Sequence, residues 1–345
     1  MARKRVVSVA VSLLVTLILV AVLMSGIKFR DLAETLRRIY LPALFAFVAV
    51  SLLSAWLRAW RYKWLLGPGA ISWGEMFLAT FIRNSFEDLL PARIGSLSYI
   101  VVLTKRLSIP FESATSTFVV AFILDFLTLS PFLAGALFGI GFSLAGLPTG
   151  TLMLAAAVYF LIVCLLLWKI VPVTRFLVRF YRALLAAIGA EHKPKALASV
   201  EKLQETVEQL RDIQSRKIFG RLFVLSLFIR LGKYLSLYVL LFAILHSRGF
   251  GFKSLSFSKT ILGVTGAELT SVLPVKGLAD FGTWESAWTV AFGLMGFDRQ
   301  IAILSGIGIH LITNLWEYAL GILSIVILAL PRKNGVKRTF KGEFR

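Results

Sequence analysis

The chain has 345 residues, of which 58% are hydrophobic and only 16% are charged. Soluble globular chains are usually about 45–50% apolar and about 25% charged, so this composition excludes a soluble enzyme, a soluble nucleic-acid-binding protein and a secreted module. The chain is also strongly basic, with 38 Lys and Arg residues against 18 Asp and Glu residues, a formal net charge of +20. In a membrane protein this excess is expected at ends and loops that face the cytoplasm and anionic headgroups.

Six apolar runs have about the length that crosses a bilayer as a helix, which is about 20 residues. They are residues 6–27, 41–57, 113–133, 152–171, 222–245 and 301–330. The first follows three cations but is longer than the apolar core of a signal peptide, so we predict a retained span. The second ends in cations mixed with aromatic residues, which is typical of a membrane–water boundary. The single cysteine, Cys164, lies in an apolar run and excludes a disulfide framework or a cysteine-based zinc site.

Two polar segments are predicted to be amphipathic helices. Residues 28–40 mix charged and apolar side chains, as an interfacial helix does. Between residues 172 and 217, apolar side chains recur every three or four positions, which predicts a helix that lies on the surface or docks on the bundle. These side chains are Leu197, Val200, Leu203, Val207, Leu210 and Ile213. The basic tail, residues 331–345, and the other basic loops favour cytoplasmic N- and C-termini.

Two further stretches fit neither spans nor ordinary loops. Residues 73–106 and 257–294 are each apolar in two halves, with charged side chains and a break between them. Each break contains a Leu-Pro pair and a cation two residues later: Leu90-Pro91-x-Arg93 in the first and Leu273-Pro274-x-Lys276 in the second. Non-helical backbone at membrane depth is tolerated only where protein or a water-filled cavity covers it. We therefore predict two re-entrant helical hairpins.

The order of these elements predicts an inverted repeat. Each hairpin follows one span and precedes another, so residues 41–133 and 222–330 form two units of opposite orientation within a single integral membrane domain. Interrupted helices in an inverted repeat are typical of transporters, with the site near the midplane. The predicted fold class is therefore an all-α polytopic membrane helix bundle, with about six full spans and two re-entrant hairpins.

The hairpins contain the candidate binding residues. Moving a lipid headgroup through hydrocarbon requires a polar path, a cation for the phosphate, and carboxylates that balance this cation. The candidate phosphate partners are Arg83, Arg93 and Lys276, because cations and above all the guanidinium fork bind phosphate oxygens. The remaining candidates are Asn84, Glu87, Asp88, Glu268, Asp280 and Glu285. The alternative is that these charges only neutralise one another and fix the hairpins.

Two other groups of polar residues in the spans have open roles. Asp125 lies alone in an apolar run and fits either a transport role or a structural bond to a hairpin backbone. His310, Asn314 and Glu317 lie on one face of the last span. They fit either a proton relay, because a buried His and Glu can titrate near neutral pH, or hydrogen bonding between helices.

At its hairpins the chain resembles the flippase-like transmembrane domain of the lysylphosphatidylglycerol synthase family. The resemblance covers about residues 5–330. The residues that carry it are Asn84, Leu89-Leu90-Pro91-Ala92-Arg93-Ile94-Gly95, Lys105-Arg106-Leu107-Ser108-Ile109, Asp125, Pro274 and Phe281-Gly282-Thr283-Trp284-Glu285. The resemblance implies movement of lipid or lipid-linked material between leaflets in a bacterium or archaeon.

The chain departs from the family pattern at three positions. Ser96 and Tyr99 stand where the family commonly has Glu and Arg, and Asp280 stands where it has a glycine of the second break. If the missing Glu and Arg contact a headgroup, a different lipid preference is expected. The synthases also have a soluble aminoacyl-transferase domain. The chain ends 15 residues after its last predicted span, so we expect no aminoacylation here.

The sequence therefore predicts a flippase or translocase of the cytoplasmic membrane rather than an enzyme. Its expected substrate is a phospholipid or a polyprenyl-phosphate-linked molecule, and it is expected to need no cofactor, metal or nucleic acid. The sequence contains no P-loop, which favours passive or ion-coupled movement. The alternatives are a non-catalytic subunit or regulator of an envelope-lipid synthesis enzyme and a membrane-embedded transferase. Against the transferase, the chain has no HExxH motif and no nucleophile elbow.

Overall fold

A computed structural model describes residues 17–23, 26, 28–87, 89, 91–140, 148–252, 254–272 and 277–330. Within these residues all regular structure is helical. The α-helices are α1 (residues 17–23), α2 (Phe29–Arg37), α3 (Leu41–Leu66), α4 (Trp73–Glu87), α5 (Ser98–Arg106), α6 (Phe111–Leu127), α7 (Leu129–Ile140), α8 (Thr149–Trp168), α9 (Ile170–Ala187), α10 (Pro194–Ser215), α11 (Phe219–Leu245), α12 (Phe257–Glu268), α13 (Thr283–Leu294) and α14 (Arg299–Ala329). Short 3₁₀ segments cover Pro91–Leu97, His246–Arg248, Leu269–Val272 and Leu278–Asp280.

Local sequence explains where several of these helices begin. Pro42 and Pro194 lie in the first turns of α3 and α10, where a missing N–H breaks no helical hydrogen bond. The Asp298 carboxylate caps α14 by accepting hydrogen bonds from the backbone N–H groups of Gln300 and Ile301, at 2.8 and 3.2 Å.

Five helical stretches in the described residues are long and apolar enough to cross a membrane. They are Leu41–Leu66, Phe111–Gly139, Thr149–Trp168, Phe219–Arg248 and Arg299–Ala329. They correspond to five of the six predicted spans, and the prediction of a polytopic membrane helix bundle is confirmed. The other predicted span, residues 6–27, lies mostly outside the described residues. The protein is therefore a multi-pass membrane protein.

The predicted end of the second span was wrong. Instead of ending at residue 57, α3 continues to Leu66 and stops at Gly67, whose φ of 96° is a conformation that favours glycine. Cations mixed with aromatic residues suggested a boundary, but Arg61 is fully buried in the bundle. Arg61 is therefore an interior group and needs partners inside the protein.

Two helix–break–helix units lie at the predicted hairpins. In the first, α4 ends at Glu87, the chain forms the 3₁₀ segment Pro91–Leu97, and α5 follows. In the second, α12 passes into Leu269–Val272, and α13 begins at Thr283. The predicted second break, residues 274–277, lies outside the described residues except for Gly277. The 3₁₀ segments Pro91–Leu97 and Leu269–Val272 contact each other, so the two helix–break–helix units meet at these segments.

The remaining helices pack around this meeting point in a reciprocal pattern. The helices α3 and α11, which precede the two units, pack along each other at the centre. The first arm of the first unit, α4, packs on α14, the helix that follows the second unit. The first arm of the second unit, α12, packs on α7, which belongs to the span that follows the first unit.

The polar segment 172–217 contains nearly all of α9 and the whole of α10. Helix α10 packs on α6 and buries one apolar face. Among the six apolar residues of the predicted face, Val200, Val207, Leu210 and Ile213 are buried, whereas Leu197 is exposed. The amphipathic pattern therefore docks this helix on the bundle. The predicted interfacial helix, residues 28–40, contains α2, which contacts α11 and α14.

Gly95 gives a direct test of the first unit. A Cβ atom at this position would lie 1.5 Å from the backbone oxygen of Phe86, so the break and the last turn of α4 would have to separate. We expect Gly95→Ala to lower the free energy of unfolding by about 3 kcal/mol, because the clash is with backbone and cannot be relieved by a rotamer change. The measurement is SDS-titrated unfolding of the full chain in detergent micelles.

The matched control is Gly74→Ala in α4, where an added Cβ has no neighbour within 4 Å. Alanine favours a helix over glycine, so this control is expected to leave stability unchanged or slightly higher. Equal effects of the two substitutions would contradict the close approach of the break to α4.

Candidate functional site

A polar cavity of about 160 Å³ lies where α3, α4, α11, α12, α14 and the second break meet. We call it the central cavity. It is lined by Phe47, Ser51, Ser54, Arg58, Asn84, Glu87, Lys233, Ser236, Leu237, Glu268, Asp280, Trp284, His310, Thr313, Trp316 and Glu317. Three of the contributing helices are long and apolar enough to cross a membrane. Charged side chains in such helices normally face a bundle interior or a water-filled space, as they do here.

On the side of the first break, α4 presents Asn84 and Glu87 to the central cavity. The buried Arg83 donates from Nη1 to the Glu87 carboxylate at 2.7 Å and to the Asn84 side-chain oxygen at 3.1 Å. Residues four apart lie on the same helix face, so the sequence alone predicts the Arg83–Glu87 pair. Arg83 therefore has a carboxylate partner within its own helix.

Asp125 forms an ion pair between spans, a contact that neither of its two predicted roles named. Its carboxylate lies 2.7 Å from Nη1 of Arg61, and the same nitrogen lies 3.0 Å from the Ser226 hydroxyl of α11. Arg230 of α11 donates to the backbone oxygen of Asp125. These contacts connect α3, α6 and α11. Because Arg61 is fully buried, removing the Asp125 carboxylate would leave the Arg61 charge without compensation inside the bundle.

Glu268, at the end of α12, lies between two cations of α11. Nζ of Lys233 is 2.6 Å from Oε1 of Glu268, and Nη1 of Arg230 is 3.7 Å from Oε2. Glu268 and Lys233 line the central cavity. These contacts connect α12, the first arm of the second helix–break–helix unit, to the central helix α11.

The second break is stabilised by Glu285. Ala279, Asp280 and Gly282 have φ angles of 51°, 65° and 83°, a left-handed backbone that is rare outside glycine. The Gly282 N–H donates to Oε2 of Glu285 at 2.8 Å, and Oε1 of Glu285 lies 2.6 Å from Nδ1 of His310. One buried carboxylate thus joins the start of α13 to α14.

His310 connects this buried pair to the cavity. Its ring lies among the rings of Phe281 and Trp284, with centroids 4.7 and 5.1 Å away, and its side chain also lines the central cavity. A His–Glu pair at 2.6 Å can hold a proton between its two members. The predicted stripe on α14 is only partly in the cavity, because Glu317 lines it but the buried Asn314 is not among the lining residues.

The structure describes some of the predicted residues only in part. Asp88 and Lys276 lie outside the described residues, as does the side chain of Arg93. Among the predicted phosphate partners, Arg83 is therefore the one with a described side chain, and it is paired with Glu87. No group of three His, Cys, Asp or Glu residues able to hold a metal ion occurs in the described part of the chain.

Sequence reasoning missed four cations of the site: Arg58, Arg61, Arg230 and Lys233. Arg230 and Lys233 lie within the apolar run 222–245, and ionisable residues inside such a run are a recognised sign of a functional site. Arg58 and Arg61 were assigned to a membrane boundary. A longer estimate of the α3 span would have placed them inside the bundle.

A small pocket lies beside the central cavity, on the apolar side of the bundle. It is lined by Asp125, Phe126, Leu129, Arg230, Thr265, Glu268 and Leu269, and Glu268 also lines the central cavity. Leu129, Thr265 and Leu269 also line a large groove whose surface is almost entirely apolar. We call this the apolar groove, and its walls come from α7, α8, α12 and α13. The polar cavity and the apolar groove are therefore neighbours across one pocket.

These features define a multi-pass membrane protein whose charged cavity lies among membrane-spanning helices and two broken helices. A sequence model of the lysylphosphatidylglycerol synthase TM region matches residues 7–321, so the chain belongs to this family. The family resemblance predicted from the hairpin residues is thereby confirmed. No curated protein and no solved structure matches the chain.

The Arg61–Asp125 pair gives a stability prediction. We expect Asp125→Asn to lower the free energy of unfolding by about 3–5 kcal/mol, because the buried Arg61 guanidinium would lose its counter-charge. The double variant Arg61→Met/Asp125→Leu is expected to recover part of this loss, since both charges are removed together. SDS-titrated unfolding in detergent micelles measures both effects.

The control is Glu208→Gln, which breaks the exposed Arg211–Glu208 pair on α10 and should cost at most about 1 kcal/mol. A loss for Asp125→Asn no larger than that of the control would show that Asp125 does not stabilise the bundle, and would favour a transport role for it.

Proposed function

We propose that this protein moves a phospholipid or a polyprenyl-phosphate-linked lipid between the leaflets of the cytoplasmic membrane. The observation that carries the proposal is the charged central cavity among membrane-spanning helices, with an apolar groove beside it. A lipid has the same two parts, a polar headgroup and hydrocarbon chains. The name of the family refers to a phospholipid, which also favours a lipid substrate.

In this proposal the headgroup crosses in the central cavity while the chains stay in apolar surroundings. Moving a charge through hydrocarbon is costly, at least about 2.5–3.5 kcal/mol on insertion scales for one charged side chain. The cavity lowers this cost by supplying cations, carboxylates and hydroxyl groups. The Arg230–Glu268 contact lies at the pocket between the groove and the cavity, so it is the place where a headgroup would leave the lipid phase.

The two helix–break–helix units are proposed to be re-entrant hairpins in an inverted repeat. The reciprocal packing of α4 on α14 and of α12 on α7 is what a pseudo-two-fold relation between the units would produce. The contact between the two 3₁₀ segments would then lie near the midplane. Each hairpin would face one leaflet, and the cavity between them could open alternately to either side.

We propose that lipid movement is either coupled to protons or passive, because the sequence has no P-loop for binding ATP. The His310–Glu285 pair is the candidate proton site, since it reaches both the second break and the central cavity. Protonation of this pair would change the charge next to the break. The basic loops and the basic tail favour cytoplasmic N- and C-termini, with α10 on the cytoplasmic face.

The experiment is reconstitution of the purified chain in liposomes, with labelled phospholipids or a labelled polyprenyl phosphate followed between leaflets. We expect faster movement than in protein-free liposomes for at least one anionic lipid. Arg93→Ala and Glu285→Ala are each expected to abolish this movement while the protein still inserts, because the first removes a predicted phosphate partner and the second removes the partner of His310.

Glu191→Ala is the matched control, because Glu191 is exposed in the turn between α9 and α10 and should leave the rate unchanged. No acceleration with any anionic lipid would overturn the proposed function. Native rates in both hairpin variants would mean that these charges are structural.

A further inference from the structure

Arg58 differs from the other arginines inside the bundle. Arg61, Arg83 and Arg230 each have a carboxylate within ion-pair distance, at 2.7, 2.7 and 3.7 Å. Within the described residues Arg58 makes no hydrogen bond and no ion pair, and its buried Nε atom, like those of Arg61 and Arg83, has no acceptor. An arginine without a partner inside a membrane-spanning helix is costly unless a ligand or water satisfies it.

The position of Arg58 gives it access to the central cavity. It lines the cavity on the same face of α3 as Ser51 and Ser54. Asn84 also lines the cavity, and its side-chain oxygen already accepts a hydrogen bond from Arg83. The amide N–H₂ group of Asn84 is therefore available to donate a hydrogen bond to an anion that Arg58 binds in the cavity.

The other cations at the cavity already have carboxylate partners. Arg61 contacts Asp125, Arg83 contacts Glu87, and Lys233 contacts Glu268. Of the two Arg and Lys residues that line the central cavity, Arg58 is therefore the one without a carboxylate contact in the described residues. Its N–H groups are the donors that a ligand in the cavity can engage.

We infer that Arg58 is the phosphate-binding residue of the central cavity, with Asn84 as a second donor, and that its ligand is the phosphate of an anionic lipid headgroup. This inference rests on the proposed function, which supplies a lipid as the occupant of the cavity. The guanidinium fork binds two phosphate oxygens at once, which an ammonium group cannot do. Free inorganic phosphate has the same chemistry, so the experiment distinguishes the two sources.

The test measures binding to the full chain in detergent, so it does not depend on movement between leaflets. The probes are a short-chain phosphatidylglycerol, a diacylglycerol with the same chains, and inorganic phosphate. Arg58→Gln is expected to weaken phosphatidylglycerol binding about tenfold or more and to leave the weak diacylglycerol binding unchanged. Arg58→Lys is expected to bind with intermediate affinity.

Two controls separate binding from folding. Arg221→Gln removes an exposed arginine of α11 that does not line the cavity, and its binding should match the native chain. Arg58→Gln should also unfold at the same or a higher temperature than the native chain without ligand, because it removes a charge that has no partner. Lower stability with unchanged binding would make Arg58 a structural residue and overturn the inference.

The remaining outcomes are equally decisive. Equal phosphatidylglycerol affinity for the native chain and Arg58→Gln would overturn the inference. Arg58-dependent binding of inorganic phosphate without binding of phosphatidylglycerol would assign the site to the free anion and overturn the lipid assignment. Arg58-dependent lipid binding in a protein that moves no lipid in liposomes would support this inference and refute the proposed function.

Discussion

Compensation of charge inside a membrane-spanning bundle is the constraint on which the rest of this structure depends. A charged side chain in such a helix needs a counter-charge, a hydrogen-bonding partner or water. The Arg61–Asp125 pair meets this need between α3 and α6, and Lys233 and Arg230 meet it for Glu268 between α11 and α12. These pairs fix the central helices to one another and to α12 of the second helix–break–helix unit.

The same constraint explains the two broken helices. Backbone groups released at a break need partners, and in lipid they would have none. The 3₁₀ segments Pro91–Leu97 and Leu269–Val272 lie against each other, and Glu285 accepts a hydrogen bond from the N–H of Gly282 at the second break. These contacts provide partners for part of the backbone at the breaks, whereas the side chains of Ile94, Leu97 and Leu269 are exposed. Among the arginines that the structure describes inside the bundle, Arg58 forms no ion pair, and it lines the central cavity, where a ligand can reach it.

Much of the fold was predictable because it depends on local patterns. Apolar runs predicted the five described spans, and the first Leu-Pro pair predicted the break that follows α4. The Arg83–Glu87 pair follows from a spacing of four residues on one helix. The contacts of Arg61 with Asp125 and of Glu285 with His310 join distant parts of the chain, so no local pattern contains them. The run of cations and aromatic residues after residue 57 was misleading, because the same composition suits a membrane boundary and a buried site.

The central claim is that a water-accessible polar cavity lies inside the membrane-spanning bundle. It is tested most directly by cysteine accessibility on α14, in a Cys164→Ala background, with a charged thiol reagent that does not cross membranes. Thr313 lines the cavity, whereas Leu315, two residues later, is 71% exposed on the outside of the bundle. The account predicts that Thr313→Cys reacts in intact membranes and that Leu315→Cys is protected by lipid. Protection of Thr313→Cys, or equal reaction at both positions, would contradict it.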